Sequence, residues 1–139
     1  MREVLLGYDG SDCSRRALTF AIDLAQRYGA RLHVVSVARS PDFEFGLEID
    51  TDAIAQQQVL HCQRLLDALR HSIPELTRPV RYEVASGHPA EEIIRYAQEE
   101  GVDHIVVGHR GHTLLERWLI GSIARHVIAH AGCSVTVVR

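Results

Sequence analysis

Hydrophobic residues occur along this chain in short unbroken runs that alternate with longer amphipathic segments. Four runs rich in valine, isoleucine and leucine cover residues 3–9, 31–38, 103–108 and 133–139, which is typical of strands buried on both faces. Residues 80–86 instead alternate apolar and polar positions, which predicts a strand close to an edge of the sheet. The pattern therefore predicts five strands.

The segments between these runs carry the 3.6-residue period and the terminal signals of helices. The first helix is expected to end at Gly29, the second to run to Pro74, the third to cover residues 88–101 and the fourth residues 122–130. The predicted inward face of the first helix comprises Ala17, Ala21, Leu24, Ala25 and Tyr28. Residues 39–52, before the second helix, are interpreted as a long surface loop.

Strict alternation of strands and helices predicts an α/β protein, with a parallel sheet covered by helices on both faces. Right-handed crossovers, with strands one to three wound one way and the last two the other, give a doubly wound five-stranded sheet of order 3-2-1-4-5. Ligands bind such sheets beyond the carboxyl ends of the strands, where the winding reverses. Here that point brings Asp9 and Gly108 together.

Composition narrows the class of protein. The 139 residues are 46% hydrophobic and 24% charged, with a net charge of -3, which favours one globular domain over residues 1–139 and gives no sign of nucleic-acid binding. No apolar run is long enough for a membrane span, and no signal-peptide pattern precedes the first strand, so we expect a cytoplasmic protein. The three cysteines are expected to be reduced.

Lysine is absent, and all fifteen residues of the Lys and Arg class are arginine. The absence excludes a Walker A phosphate loop, a Schiff-base nucleophile and a kinase-type phosphate lysine, because each of these requires a lysine amine. Any anion must therefore be held by backbone N–H groups, hydroxyl groups or arginine.

A glycine pattern follows the fourth strand and favours phosphate binding. Its spacing, Gly-x2-Gly-x9-Gly-Ser, is formed by Gly108, Gly111, Gly121 and Ser122. Glycine permits tight turns and close approach to a ligand, while a helix that starts at Ser122 offers free N–H groups and a positive dipole end. Arg110 and Arg117 could neutralise further phosphate charge. The alternative interpretation is that the glycines serve only as turn residues and that Ser122 caps its own helix.

Residues at the ends of the first two strands complete the predicted site. Asp9 could accept hydrogen bonds from a ribose or an adenine, and its alternative role is to cap the turn into the first helix. Val34 and Val35 of the second strand could offer main-chain groups to a base edge, although their side chains are expected in the core.

Nine histidines raise the question of a metal site. His126 and His130 are four residues apart on a helix, and His109 and His112 lie close together in the loop, but neither pair belongs to a zinc-ligand pattern, so no metal site is predicted. His109 and His112 could still make phosphate affinity depend on pH, because a protonated imidazole adds positive charge. No base and nucleophile have a spacing that indicates catalysis, so no catalytic residue is assigned.

The chain resembles the universal stress protein family, specifically its ATP-binding branch. The resemblance covers nearly the whole chain and rests on "VLLGYDGS", "RLHVVSV", "SGHPAEEII", "DHIVVGHRG" and "GSIARHVIAHAGCSVTVVR". The family's nucleotide signature, Gly-x2-Gly-x9-Gly-Ser/Thr, is present in full. The resemblance implies a Rossmann-like fold of the adenine nucleotide alpha hydrolase-like type.

The resemblance also implies how a nucleotide would bind. Asp9 and the backbone of Val34 would hold adenine and ribose, with ATP accompanied by Mg²⁺ or Mn²⁺. The phosphate-binding segment would comprise Gly108, His109, Arg110, Gly111, Gly121, Ser122 and the amide of Ile123. His109 stands where the family frequently has a small residue, which could alter the ribose contacts.

Family members pair as dimers, so the resemblance implies a homodimer formed through the C-terminal strand (residues 135–139, with Val135 and Arg139 at its ends). An apolar edge strand with unpaired main-chain groups is a liability that a second copy would cover. The predicted function is a nucleotide-dependent binding module of the stress response, in which ATP orders the loop and an unknown protein partner recognises it. The alternatives are a dimeric scaffold that needs no nucleotide, and a slow ATP hydrolase in which Glu116 or His112 orients a water.

Overall fold

The alternating strands and helices are present in the structure, a computed structural model that describes residues 1–40, 51–110 and 120–139. The elements are β1 (Glu3–Gly7), α1 (Asp12–Tyr28), β2 (Arg31–Arg39), α2 (Thr51–Arg70), β3 (Arg81–Gly87), α3 (Pro89–Glu99), β4 (His104–Gly108), α4 (Ser122–His130) and β5 (Ser134–Val138). All strand pairs are parallel, and their order is β3-β2-β1-β4-β5. The predicted α/β fold and strand order are therefore confirmed.

Strand side chains alternate between two hydrophobic cores, one on each face of the sheet. The core under α1 and α2 includes Val4, Leu6, Ala17, Ala21 and Leu66. The core under α3 and α4 includes Leu5, Ile105, Ile93 and Val127. Because both faces of the central strands are covered, successive residues are apolar, which explains the unbroken runs in the sequence.

The prediction that Tyr28 faces inward is wrong, since 59% of this residue is exposed. Tyr28 is the last residue of α1, and Gly29 follows it in the left-handed conformation with φ of 60°. The glycine turns the chain towards β2, so the last turn of the helix extends past the core.

β1 is shorter than predicted, because it ends at Gly7 and leaves Asp9 in the following turn. The Tyr8 N–H still donates to the Val35 carbonyl at 2.9 Å, and the chain then turns at Gly10, whose φ is 79°. Ser11 caps α1 by accepting a hydrogen bond from the Ser14 N–H. A capped turn therefore connects the sheet to α1.

A buried polar network joins β1, β2 and α3 through His33, which is fully buried. Its Nε2 lies 2.7 Å from Glu3 Oε2, and its Nδ1 lies 2.9 Å from the Tyr96 hydroxyl. Burial, together with nearby carboxylates, raises the pKa of Tyr96 to about 12. The lowered pKa of Glu3 keeps its carboxylate ionised near neutral pH, so it accepts the hydrogen bond from His33 Nε2–H, while the Tyr96 hydroxyl bonds the other ring nitrogen.

Replacing Glu3 by glutamine is expected to flatten the acid limb of the stability profile. Burial raises the pKa of Glu3, but the hydrogen bond and the electrostatic attraction from His33, with the charges of Arg31 and Arg78, together outweigh it and leave the pKa below the usual value of 4.5. A carboxylate with a lowered folded-state pKa stabilises the protein above its unfolded-state pKa, and this contribution is lost as the pH falls through the folded-state value.

The free energy of unfolding, measured in urea over a series of pH values, provides the check. Wild type should lose more stability than Glu3→Gln as the pH falls below 4.5. Glu75→Gln, at an exposed position, should follow wild type. Parallel profiles for wild type and Glu3→Gln would show that this carboxylate contributes nothing to the pH dependence.

Candidate functional site

A cavity of about 400 Å³ opens at the carboxyl ends of β1, β2 and β4. The strands contribute Gly7, Val35, Val107 and Gly108 to its lining, and the helices contribute Ser14, Gln58, Pro89 and Ser122, among others. The cavity lies where β1 and β4 are neighbours, which is the point at which the winding reverses. Its volume falls within the range of small-molecule sites.

The charged side chains of the cavity favour an anion. Arg39 and Arg110 line it, together with the imidazoles of His61 and His109. Asp9 is the only carboxylate among the described residues that line it. Two guanidinium groups against one carboxylate leave a positive balance of charge.

Asp9 lies at the cavity and also stabilises the turn after β1. Its Oδ1 accepts a hydrogen bond from the Ser11 N–H at 2.9 Å. The capping role given as the alternative for Asp9 is thus present, and the residue lines the cavity at the same time.

Gly108 is required by packing inside the protein. A Cβ atom at this position would lie 2.9 Å from the carbonyl carbon of Cys13 and 3.0 Å from the Ser14 nitrogen. α1 therefore approaches the end of β4 too closely for any side chain. Packing alone accounts for this glycine, and because Gly108 also lines the cavity, its contact with a phosphate stays a prediction.

Gly121 also permits a backbone contact. Its N–H donates to the His109 carbonyl at 2.8 Å, and a Cβ would lie 3.0 Å from the same oxygen. Any residue can adopt its φ of -59°, so the backbone conformation does not require glycine. Glycine is favoured because a Cβ would press against the His109 carbonyl oxygen. Gly111, His112, Glu116 and Arg117 lie outside the described residues.

The start of α4 faces the cavity. Gly121 is the N-cap, so Ser122 is the first helical residue and not the cap. Because glycine has no side chain, no side-chain capping bond is made to the first N–H groups. Ser122, Ile123 and Ala124 line the cavity. The first N–H groups of a helix have no acceptor within it, and the dipole places positive charge there. This arrangement suits a phosphate.

Val34 does not contribute to the described lining of the cavity. Its side chain is fully buried in the core under α1 and α2, and the part of β2 that reaches the cavity begins at Val35. The Val35 carbonyl already accepts from Tyr8. Main-chain groups two residues apart point to the same side of a strand, so those of Val37 point past the end of β1.

His109 is buried between the ends of β4 and β5. It is 5% exposed, and its main-chain N–H donates to the Val138 carbonyl at 2.6 Å. Its Nε2 is buried without a hydrogen-bond partner in the described part of the chain. Burial lowers the pKa of His109, and the positive charges of Arg139 and Arg110 lower it further.

Several lining residues were not identified from the sequence. They are Ser11, Ser14, Arg39, Gln58 and His61. The two serines stand in the cluster "DGSDCS" after β1, and Arg39 ends β2, so the rule that sites form at strand ends could have indicated all three. Gln58 and His61 belong to α2, and nothing in a helical period shows which exposed positions face a cavity.

The described ranges lack the features of a metal centre and of a membrane-spanning helix. Residues 1–40, 51–110 and 120–139 contain no cluster of three histidine, cysteine or acidic side chains that could hold a metal ion. Among the helices in these ranges, none has the length and apolar character needed to cross a bilayer.

The parallel sheet wound in two directions defines a Rossmann-like α/β protein, with a cavity at the reversal point. The model of the universal stress protein family matches residues 1–139, and the chain belongs to this family. It is 32% identical over 139 residues to a universal stress protein of Methanocaldococcus jannaschii, covering 99% of this chain and 82% of that protein.

Solved structures agree with this assignment. The universal stress protein UspA from Lactobacillus plantarum superimposes with a TM-score of 0.88 at 26% identity, covering 99% of this chain and 97% of that one. The universal stress protein from Archaeoglobus fulgidus in complex with dAMP superimposes with a TM-score of 0.64 at 25% identity, covering 100% and 98%.

Proposed function

We propose that this chain binds an adenine nucleotide, specifically ATP, and acts as a nucleotide-dependent regulatory module of the stress response. The observation that carries the proposal is the position of the first turn of α4. This turn has no side-chain cap, and it lines the same cavity as Arg39 and Arg110. Helix N–H groups and guanidinium groups together suit phosphates in a chain without lysine. The complex of the Archaeoglobus fulgidus relative with dAMP supports the same class of ligand.

The cavity suggests an orientation for the nucleotide. The phosphates would lie against Ser122 and the amide of Ile123, and the base would lie towards the end of β2. There, the main chain of Val37 is better directed than that of Val34 to bind adenine. Asp9, after the neighbouring strand, would meet the ribose.

Mg²⁺ or Mn²⁺ would accompany the phosphates. The described residues contain no cluster of side chains able to hold a cation by themselves. The ion would therefore be held mainly by phosphate oxygens and water, as is usual for magnesium bound with a nucleotide.

Calorimetric titration with ATP, ADP and AMP, with Mg²⁺ present, tests the proposal. We expect one nucleotide per chain and tightest binding for ATP, because each added phosphate meets further positive charge. The absence of binding heat with all three nucleotides would favour the nucleotide-independent scaffold. Release of phosphate by the wild type that is lost in Gly121→Val would favour the hydrolase.

We also propose that two copies pair through β5. This strand is bonded to β4 on one side and forms an end of the described sheet. The Val138 carbonyl points to β4, where it accepts from His109, so the main-chain groups of Val135 and Val137 point outward. An antiparallel β5 from a second copy would satisfy both sets of groups around a two-fold axis.

Val137→Pro is expected to convert the dimer to a monomer. Proline removes an outward N–H and leaves the bonds to β4 in place. Val137→Ala keeps that N–H while also shortening the side chain, so it should remain dimeric. Sedimentation velocity at micromolar concentration distinguishes the variants, and a monomeric wild type would contradict the proposal.

A further inference from the structure

We propose that His109 takes up a proton when a nucleotide phosphate binds, so that the site binds its ligand more tightly below neutral pH. The inference rests on the proposed function and adds a form of regulation to the same site. Its structural basis is the buried imidazole of His109, a residue whose main chain is hydrogen-bonded to Val138 and Gly121.

The main chain fixes His109 on two sides. Its N–H donates to the Val138 carbonyl at the end of β5, and its own carbonyl accepts from the Gly121 N–H before α4. The residue lines the cavity and is 5% exposed. The ring therefore has little freedom to turn out into water.

The imidazole lacks a partner for one polar atom. Nε2 is buried with no hydrogen bond to the described residues. Leaving such a group unpaired is costly, so folded proteins rarely keep one without a reason. A phosphate oxygen at the start of α4 would supply the missing partner.

Before a ligand arrives, the surroundings oppose a positive charge on the ring. Burial is the main cause of its lowered pKa, and Arg139 and Arg110 add repulsion. The titratable or charged groups from the elements around the site are Tyr8 and Asp9 after β1, Arg16 of α1, Arg39 of β2, His61 and Cys62 of α2, Arg110 after β4 and Arg139 after β5. Asp9 is the only anion in this set, so the unliganded imidazole stays neutral near pH 7.

A bound phosphate dianion reverses the preference of the imidazole for its neutral form. An anion within hydrogen-bond distance of the ring favours the imidazolium form, and the proton comes from solvent. By linkage, the factor by which phosphate favours protonation equals the factor by which protonation favours phosphate. Affinity should therefore increase as the pH falls, by up to about tenfold per pH unit for one linked proton.

Proton uptake can be measured directly by calorimetry. Mg-ATP is titrated into wild type, His109→Gln and His71→Gln, each in two buffers of different ionisation enthalpy at one pH. His71 is exposed and does not line the cavity, so its substitution is the matched control. Wild type and His71→Gln should take up more protons per ATP than His109→Gln, and their affinity should rise more steeply below neutral pH. Protonation of the ATP itself is common to all three and cancels in the comparison.

A measurement on wild type alone tests the inference even if the His109 variant fails to fold. In protein labelled with ¹⁵N-histidine, ring nitrogen shifts report the charge of His109 as the pH is lowered. Added Mg-ATP should move its titration to higher pH. This inference alone would be overturned by an imidazole that stays neutral with ATP bound, or by equal proton uptake in wild type and His109→Gln. The absence of binding heat when ATP is added to wild type would instead overturn the proposed function.

Discussion

Gly108→Ala is expected to lower the free energy of unfolding by about 2 kcal/mol, within the range of about 1–3 kcal/mol for overpacked positions. The added Cβ would meet the Cys13 carbonyl carbon at 2.9 Å and the Ser14 nitrogen at 3.0 Å. Both are main-chain atoms, so no side-chain rotation can relieve the contact, and α1 must move away from β4. The gain of about 0.4–1 kcal/mol from a stiffer unfolded chain offsets only part of this cost.

Urea denaturation of the variant against a matched control measures this effect. Gly132→Ala is the control, because its Cβ would have no atom within 4 Å and its φ is not in the left-handed region. Its stability should stay within about 0.5 kcal/mol of wild type. If the two variants were equally stable, the close packing of α1 on β4 would not explain this glycine.

Ser122→Pro is expected to weaken ATP binding about 100-fold, equivalent to about 3 kcal/mol. The substitution removes the first helical N–H and the hydroxyl together, two donors that the proposed function assigns to phosphate. Charge-assisted hydrogen bonds of this kind contribute about 1.5–3 kcal/mol each.

The same substitution should leave α4 intact. Proline is favoured at the first helical position, where no helical hydrogen bond is lost. It also requires an extended residue before it, and Gly121 already has φ of -59° and ψ of 154°. An unchanged melting temperature would confirm that only the ligand contacts were removed.

Ser122→Ala is the companion variant for this measurement. It keeps the N–H and removes the hydroxyl, so we expect an intermediate loss of about tenfold. Titration calorimetry of the three proteins gives the contribution of each donor. If Ser122→Pro bound ATP as tightly as wild type, the phosphates would have to lie elsewhere.

The topology was predictable because few arrangements satisfy the alternation of strands and helices. Unbroken apolar runs indicated strands covered on both faces, and the handedness of crossovers restricted their order. Element ends were less predictable, because tertiary contacts set them. β1 stops at Gly7 since the chain turns at Gly10 and Ser11 starts the cap of α1.

The candidate site was predictable where spacing along the chain reflects spacing in the fold. The motif identified Gly108 and Gly121, although the structure gives packing reasons for both. Val34 and Val35 were both predicted to offer main-chain groups to a base, and the described lining of the cavity begins at Val35. A run of valines does not show where the neighbouring strand ends. His61 depends on how α2 lies across the sheet, which a single helical pattern does not determine.

The bond between the Gly121 N–H and the His109 carbonyl also bears on how freely this region can change in length. The bond joins the two ends of the stretch 110–120, so residues inserted between them would lengthen a segment that is already closed. Each doubling in length of a closed segment costs only about 0.6 kcal/mol of closure entropy. The ends of β4 and α4 therefore stay joined at little cost when the number of residues between them changes.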